Sequence, residues 1–188
     1  MCQNDSGQPV YVESVLEQKL KMLFTGSIFS IAINASLGLI LIIVQHPVIA
    51  LSTALSWYAV LAIVLISRCI LLVYWQRDNS KTTLNQERWI QYFRFSVLMS
   101  GIVWGIGGVI LMPQDNIAYE AFLSFTIGGI ASGGMASLSV DRRSVVAFVL
   151  PTMVPHILIL VQQGEPITYG MSAMLVLFVL FVFLAAKK

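Results

Sequence analysis

Apolar positions in this chain fall in long unbroken runs separated by short polar stretches. They do not follow the alternating period of a half-buried strand or the 3.6 period of a surface helix. Six runs stand out: Met22 to Val44, Leu51 to Trp75, Trp89 to Met112, Ala118 to Val140, Val145 to Val161 and Tyr169 to Ala186. Each has roughly 17 to 25 residues, the length a helix needs to cross about 30 Å of hydrocarbon. The pattern predicts an all-α integral membrane bundle of six transmembrane helices over residues 22–188, preceded by a cytoplasmic segment over residues 1–21. In that segment Val12, Val15, Leu16, Leu20 and Leu23 recur at helical spacing among Glu13, Glu17, Lys19 and Lys21. Such a stripe suits an amphipathic helix lying in the membrane interface, or equally a helical run-in to the first span. The first run is too long for a cleaved signal peptide, and no small-residue cleavage site follows it.

Composition strengthens this reading, because 57% hydrophobic and 11% charged residues leave too little polar surface for a soluble domain of this size. Six spans consume most of the chain and leave no room for a soluble catalytic domain. Charge then orients the spans. Lys19 and Lys21 precede the first; Arg77, Lys81, Arg88 and Arg94 flank the connection between the second and third; Arg142 and Arg143 join the fourth to the fifth; Lys187 and Lys188 follow the sixth. The opposite connections carry Asp115 and Glu165, with Glu120 nearby, and no Lys or Arg. Cytoplasmic loops retain basic residues, so both ends are expected in the cytoplasm. Cys2 in a polar tail and Cys69 in an apolar run form neither a disulfide framework nor a metal-binding spacing.

Four features inside the spans carry chemistry or packing. Gly101 with Gly105 in the third span and Gly129 with Gly133 in the fourth have the spacing that lets two helix backbones approach closely, which predicts that these spans pack on each other. Arg68 lies nine residues before Arg77, about 14 Å along the helix. A cation at that depth requires a partner, such as carbonyls, hydroxyls, Asp141, a bound anion or a lipid phosphate reached by snorkelling. Pro151 and Pro155 remove two helical hydrogen bonds in the fifth span and free the carbonyls of Ala147 and Pro151. With His156 beside them, Trp104 near the third-span glycines, and Tyr119 and Tyr169 toward the outer surface, they are the candidate lining of a cavity for an amphipathic small molecule; the alternative is that these residues pack. Asn34, in the middle of the first span, is expected to bond to a neighbouring helix.

The chain has no Walker loop, HExxH, nucleophile elbow or paired carboxylates for acid–base work, so no catalytic residue, cofactor or metal is assigned. His46 and His156 lack the carboxylate support of a metal site. Coupled transport would call for acidic or polar sites at the midplane and two related halves, and a channel for a filter-like segment.

Three stretches, LMSGIVWGIGGVILMP at Leu98 to Pro113, AFLSFTIGGIASGGMASLSV at Ala121 to Val140, and Ser144 to Leu160 with its two prolines, resemble the amino-terminal membrane domains that precede diguanylate cyclase, c-di-GMP phosphodiesterase and hybrid histidine kinase modules in bacteria. LEQKLKMLF at Leu16 to Phe24 and the spacing of Trp57 and Arg68 are similar to that group too. The resemblance covers nearly the whole chain. It implies a sensory input domain of a bacterial inner membrane, with a cytoplasmic output module beyond the sixth helix, and therefore either a piece of a longer protein or an isolated sensor module. Membrane lipid and a second copy of the chain are the expected partners, with no nucleic acid; a small transporter or channel is the alternative.

Overall fold

The computed structural model describes residues 10–77, 83–113 and 116–185. Among them the chain is all-helical, in the order α1 (Val10–Gln45), α2 (Leu51–Arg77), α3 (Thr83–Ile110), α4 (Ile117–Leu138), α5 (Arg142–Gln163) and α6 (Pro166–Ala185). All six are long and apolar enough to cross a membrane. Lys81, Asp115, Ala186, Lys187, Lys188 and Cys2 lie outside the described residues.

α1 runs without interruption from the amino-terminal amphipathic stretch through the first apolar run, so the two are continuous, as a run-in requires. α5 begins at an extended Asp141, whose carboxylate accepts from the Ser144 backbone N–H; this satisfies one of the donors a helix start leaves open. It ends at Gly164, whose φ of 76° is a left-handed conformation that glycine adopts at least cost. Pro166 then opens α6, where its missing N–H is not needed.

α3 is the hub, touching α1, α2, α4 and α5, with its most extensive contact on α5; α1 also packs on α2 and α4, and among the described residues α6 touches only α5 and α4. The third and fourth spans, expected to pack on each other, do touch, but Gly101 and Gly105 of α3 meet α5. A Cβ at Gly101 would lie 2.7 Å from the Phe148 carbonyl oxygen and 2.9 Å from Pro151 Cγ, and one at Gly105 would collide with the Pro151 carbonyl. The α3 notch is thus filled by α5, while Gly129 and Gly133 of α4 face open space within this chain.

Buried polar side chains sit within an apolar core, and large apolar side chains lie on the outside as well. Ser100, Ser144, Thr152 and His156 are 0% exposed, whereas Phe125 is 79% exposed and Phe29 and Ile43 are each 73% exposed. Polar side chains buried in this way need partners inside the bundle.

Candidate functional site

The interior polar groups form layers that tie different helices together. At one end Asp141 receives Lys19 Nζ from α1 at 2.8 Å and Arg94 from α3 at 2.7 and 2.8 Å, and also accepts from the Ser144 hydroxyl at 2.7 Å. Burial by itself would raise the Asp141 pKa, but the hydrogen bonds from Arg94, Lys19 and Ser144 outweigh it and hold the carboxyl well below the usual carboxylate range.

Deeper in, Arg68 is 4% exposed and turns inward rather than snorkelling. Its Nη1 donates to the Ser100 hydroxyl and its Nη2 to that of Ser27, both at 3.3 Å, while its Nε has no hydrogen-bond partner among the described residues. Asp141, considered from the sequence as a partner for Arg68, is occupied by Lys19 and Arg94.

The next layer is aromatic. Trp57 Nε1 donates to the Val103 carbonyl at 2.8 Å and Trp104 Nε1 to Asn34 Oδ1 at 2.7 Å. The two indoles meet edge to face, with centroids 5.2 Å apart. Gly107 of α3 lies against the Trp57 ring, where a side chain would collide with it.

His156 forms the layer beyond. Its Nδ1 is 2.8 Å from the Gly108 carbonyl, which can only accept, so Nδ1 carries the proton. In the neutral ring Nε2 then accepts from the Ser124 hydroxyl at 2.9 Å. Three helices, α3, α4 and α5, meet at this imidazole.

This geometry gives the candidate ligand residues a different setting. His156 and Trp104 are each 0% exposed and spend their polar atoms on other helices, as the packing alternative requires. Tyr119 is half-buried, its carbonyl accepting from Gln45 Nε2 at 3.2 Å. Tyr169 is 49% exposed. With both ring nitrogens of His156 engaged, neither tyrosine has a polar atom to meet there. Pro151 and Pro155 are partly buried against α3: the Pro151 carbonyl that Pro155 releases lies where a Gly105 side chain would be. Thr152 Oγ1 donates to the Phe148 carbonyl at 2.7 Å and the Gly101 carbonyl at 3.3 Å.

Open space lies elsewhere. A cavity of about 800 Å³ at the end opposite Asp141 is lined by Glu120, Gln163 and Glu165, and an apolar groove of about 480 Å³ between α4 and α6 is lined by Phe125, Gly129, Ser132 and Met174. At the Asp141 end a cavity of about 310 Å³ is lined by Lys19, Glu87, Arg94 and Arg143. Sequence reasoning missed the clasp of Lys19 and Arg94 on Asp141; an Asp directly ahead of an apolar run is a helix-start signal that marks where it sits. Among the described residues no group of three or more His, Cys, Asp or Glu could hold a metal ion. Comparison with protein-family models, curated proteins and solved structures finds no match to this chain.

Proposed function

We propose that this chain is a multi-pass sensory input domain of a bacterial inner membrane. Its amino and carboxyl ends face the cytoplasm. It perceives an extracytoplasmic or lipid-phase signal and passes it through α6 to a cytoplasmic module that makes or degrades c-di-GMP or acts as a histidine kinase. The observation that carries this reading is the asymmetry of the bundle. The interior of α1 to α5 is cross-tied by side-chain hydrogen bonds, whereas among the described residues α6 touches only α5 and α4 and leaves Met174, Leu177, Leu180, Phe181 and Leu184 exposed. A helix held on one side, next to a cross-tied bundle, can shift against it at low cost. Its free apolar face also suits a second copy of the chain in a symmetric homodimer, with the two α6 helices continuing as a parallel coiled coil. Orientation is supported by the gathering of Lys19, Arg94, Arg142 and Arg143 at one end, opposite Glu120 and Glu165.

The test joins α6 to a reporter diguanylate cyclase through junctions lengthened one residue at a time, with c-di-GMP measured in cells. Output should rise and fall with the helical period, because each added residue rotates the module by about 100°. Output independent of junction phase, together with solute flux in proteoliposomes, would replace this reading with a transporter or channel.

A further inference from the structure

The cavity beside the Asp141 clasp adjoins a second, apolar one. Lys19 from α1, Arg94 from α3 and Arg143 from α5 converge on the first, with Glu87 the one acid on its wall. Asp141 neutralises part of that charge from behind, yet an excess of positive charge remains. Arg143 also lines the neighbouring groove of about 430 Å³, together with Arg142, Val146 and Ala147. Arg142 and Arg143 are exposed, and their side chains make no hydrogen bond or ion pair among the described residues. Two unspent guanidinium groups thus stand between a basic cavity and an apolar wall one helical turn further along α5.

We infer that this pair of cavities binds the phosphodiester headgroup of an anionic phospholipid between Arg143 and the Lys19–Arg94 edge, with its glycerol and first acyl carbons lying over Val146 and Ala147. Guanidinium groups suit a phosphate because their planar N–H forks match its oxygens. The apolar wall favours a lipid over free phosphate, since a soluble anion gains nothing from Val146 and Ala147. The excess positive charge favours an anionic over a zwitterionic lipid, as juxtamembrane basic clusters do. Bound there, the lipid would bridge α1, α3 and α5 at the end from which α6 leads onward. The inference rests on the membrane reading above, though not on sensing.

The test places the purified chain in nanodiscs of phosphatidylcholine alone or mixed with phosphatidylglycerol, and counts retained lipid by native mass spectrometry. Phosphatidylglycerol should be retained preferentially. Arg142→Ala and Arg143→Ala should each weaken that preference roughly fivefold, and Glu87→Gln should strengthen it. Inorganic phosphate at matched ionic strength should leave retention unchanged. Displacement by phosphate would assign the site to a soluble anion and overturn the lipid. Entry into nanodiscs with equal retention of both lipids would overturn this inference alone, whereas failure to enter either nanodisc would overturn the membrane reading as well.

Discussion

The α3/α5 seam and the α4/α6 face begin from the same sequence device and end in opposite states. Both α3 and α4 carry glycines four apart. On α3 they receive a partner whose own helix is altered, since Pro155 leaves the Pro151 carbonyl unbonded within α5 and Gly105 gives it room. A glycine Cα–H against a carbonyl is a weak but recurrent helix–helix contact. On α4, a Cβ at Gly129 or Gly133 would meet nothing within 4 Å among the described residues, and Gly129 lines a groove walled by Phe125 and by Met174 of α6. Small-residue spacing therefore permits close approach without choosing the partner. The choice is made by what the other helix presents, here a proline pair and a carbonyl left without its helical donor.

The largest effect that could break this contrast is at Gly105. A leucine there must displace the α5 backbone, which cannot rotate away as a side chain tip can. Overpacking against side chains costs about 1 to 3 kcal/mol, and contact with backbone should exceed the upper end. Gly105→Leu should fail to yield a folded bundle, or unfold in a denaturing-detergent titration far below wild type. A near-normal unfolding midpoint would mean that α3 and α5 are not held at this distance.

His156→Ala comes next. It removes a fully buried ring from the α3/α4/α5 junction and strands the Gly108 carbonyl and the Ser124 hydroxyl. Cavity and lost hydrogen bonds together predict a loss of about 2 to 4 kcal/mol, with Ser124→Ala costing about 1 kcal/mol or less. Thermal unfolding of the two variants checks the order. A stable His156→Ala protein that had lost only a signal response would support the ligand role read from the sequence over the packing alternative.

That the six helices exist was legible from the length of the apolar runs, and the closeness of charged groups at one end from the distribution of Lys and Arg. Asn34 was expected to reach a neighbouring helix, and it accepts from Trp104. What the sequence concealed was adjacency. Hydropathy is uniform around most of these helices, so no stripe tells which face meets which neighbour, and a histidine beside two prolines reads equally as a cavity wall or as a junction. Arg68 shows the same limit: its depth required partners, but that they are Ser27 and Ser100 follows from the crossing of α1, α2 and α3.

The Asp141 clasp offers a smaller effect with a pH signature. Lys19 and Arg94 retain 27% and 25% side-chain exposure, so water screens the pair, and Asp141→Asn should cost about 1 to 2 kcal/mol. The carboxyl is depressed in the folded state relative to its ordinary value of 3.8. Its contribution is therefore complete above that value and is lost as pH falls below it, through the lower folded value. Unfolding midpoints measured from neutral pH downward should fall below about pH 4 in the wild type, and more shallowly in Asp141→Asn. Parallel curves would show that the clasp contributes nothing.

The smallest expected effect lies on the open side, and it decides what that side is for. Gly129→Ala adds one methyl group where this chain has nothing within 4 Å. In a single bundle the change should therefore stay within about 0.5 kcal/mol of wild type, aided by the better helix propensity of alanine. A second copy seated on the α4/α6 face would make the same position behave like Gly105, but only in the dimer. Gly129→Leu should then leave the unfolding midpoint of the monomer in place while weakening self-association, read as disulfide crosslinking between cysteines placed at Met174 in a Cys2→Ser, Cys69→Ser background. Loss of crosslinking with an unchanged monomer would assign the α4 glycines to the seam of the proposed homodimer. Unchanged crosslinking in Gly129→Leu would leave these glycines facing lipid and move the seam to the exposed residues of α6, where Leu177, Leu180 and Leu184 follow one another at helical spacing.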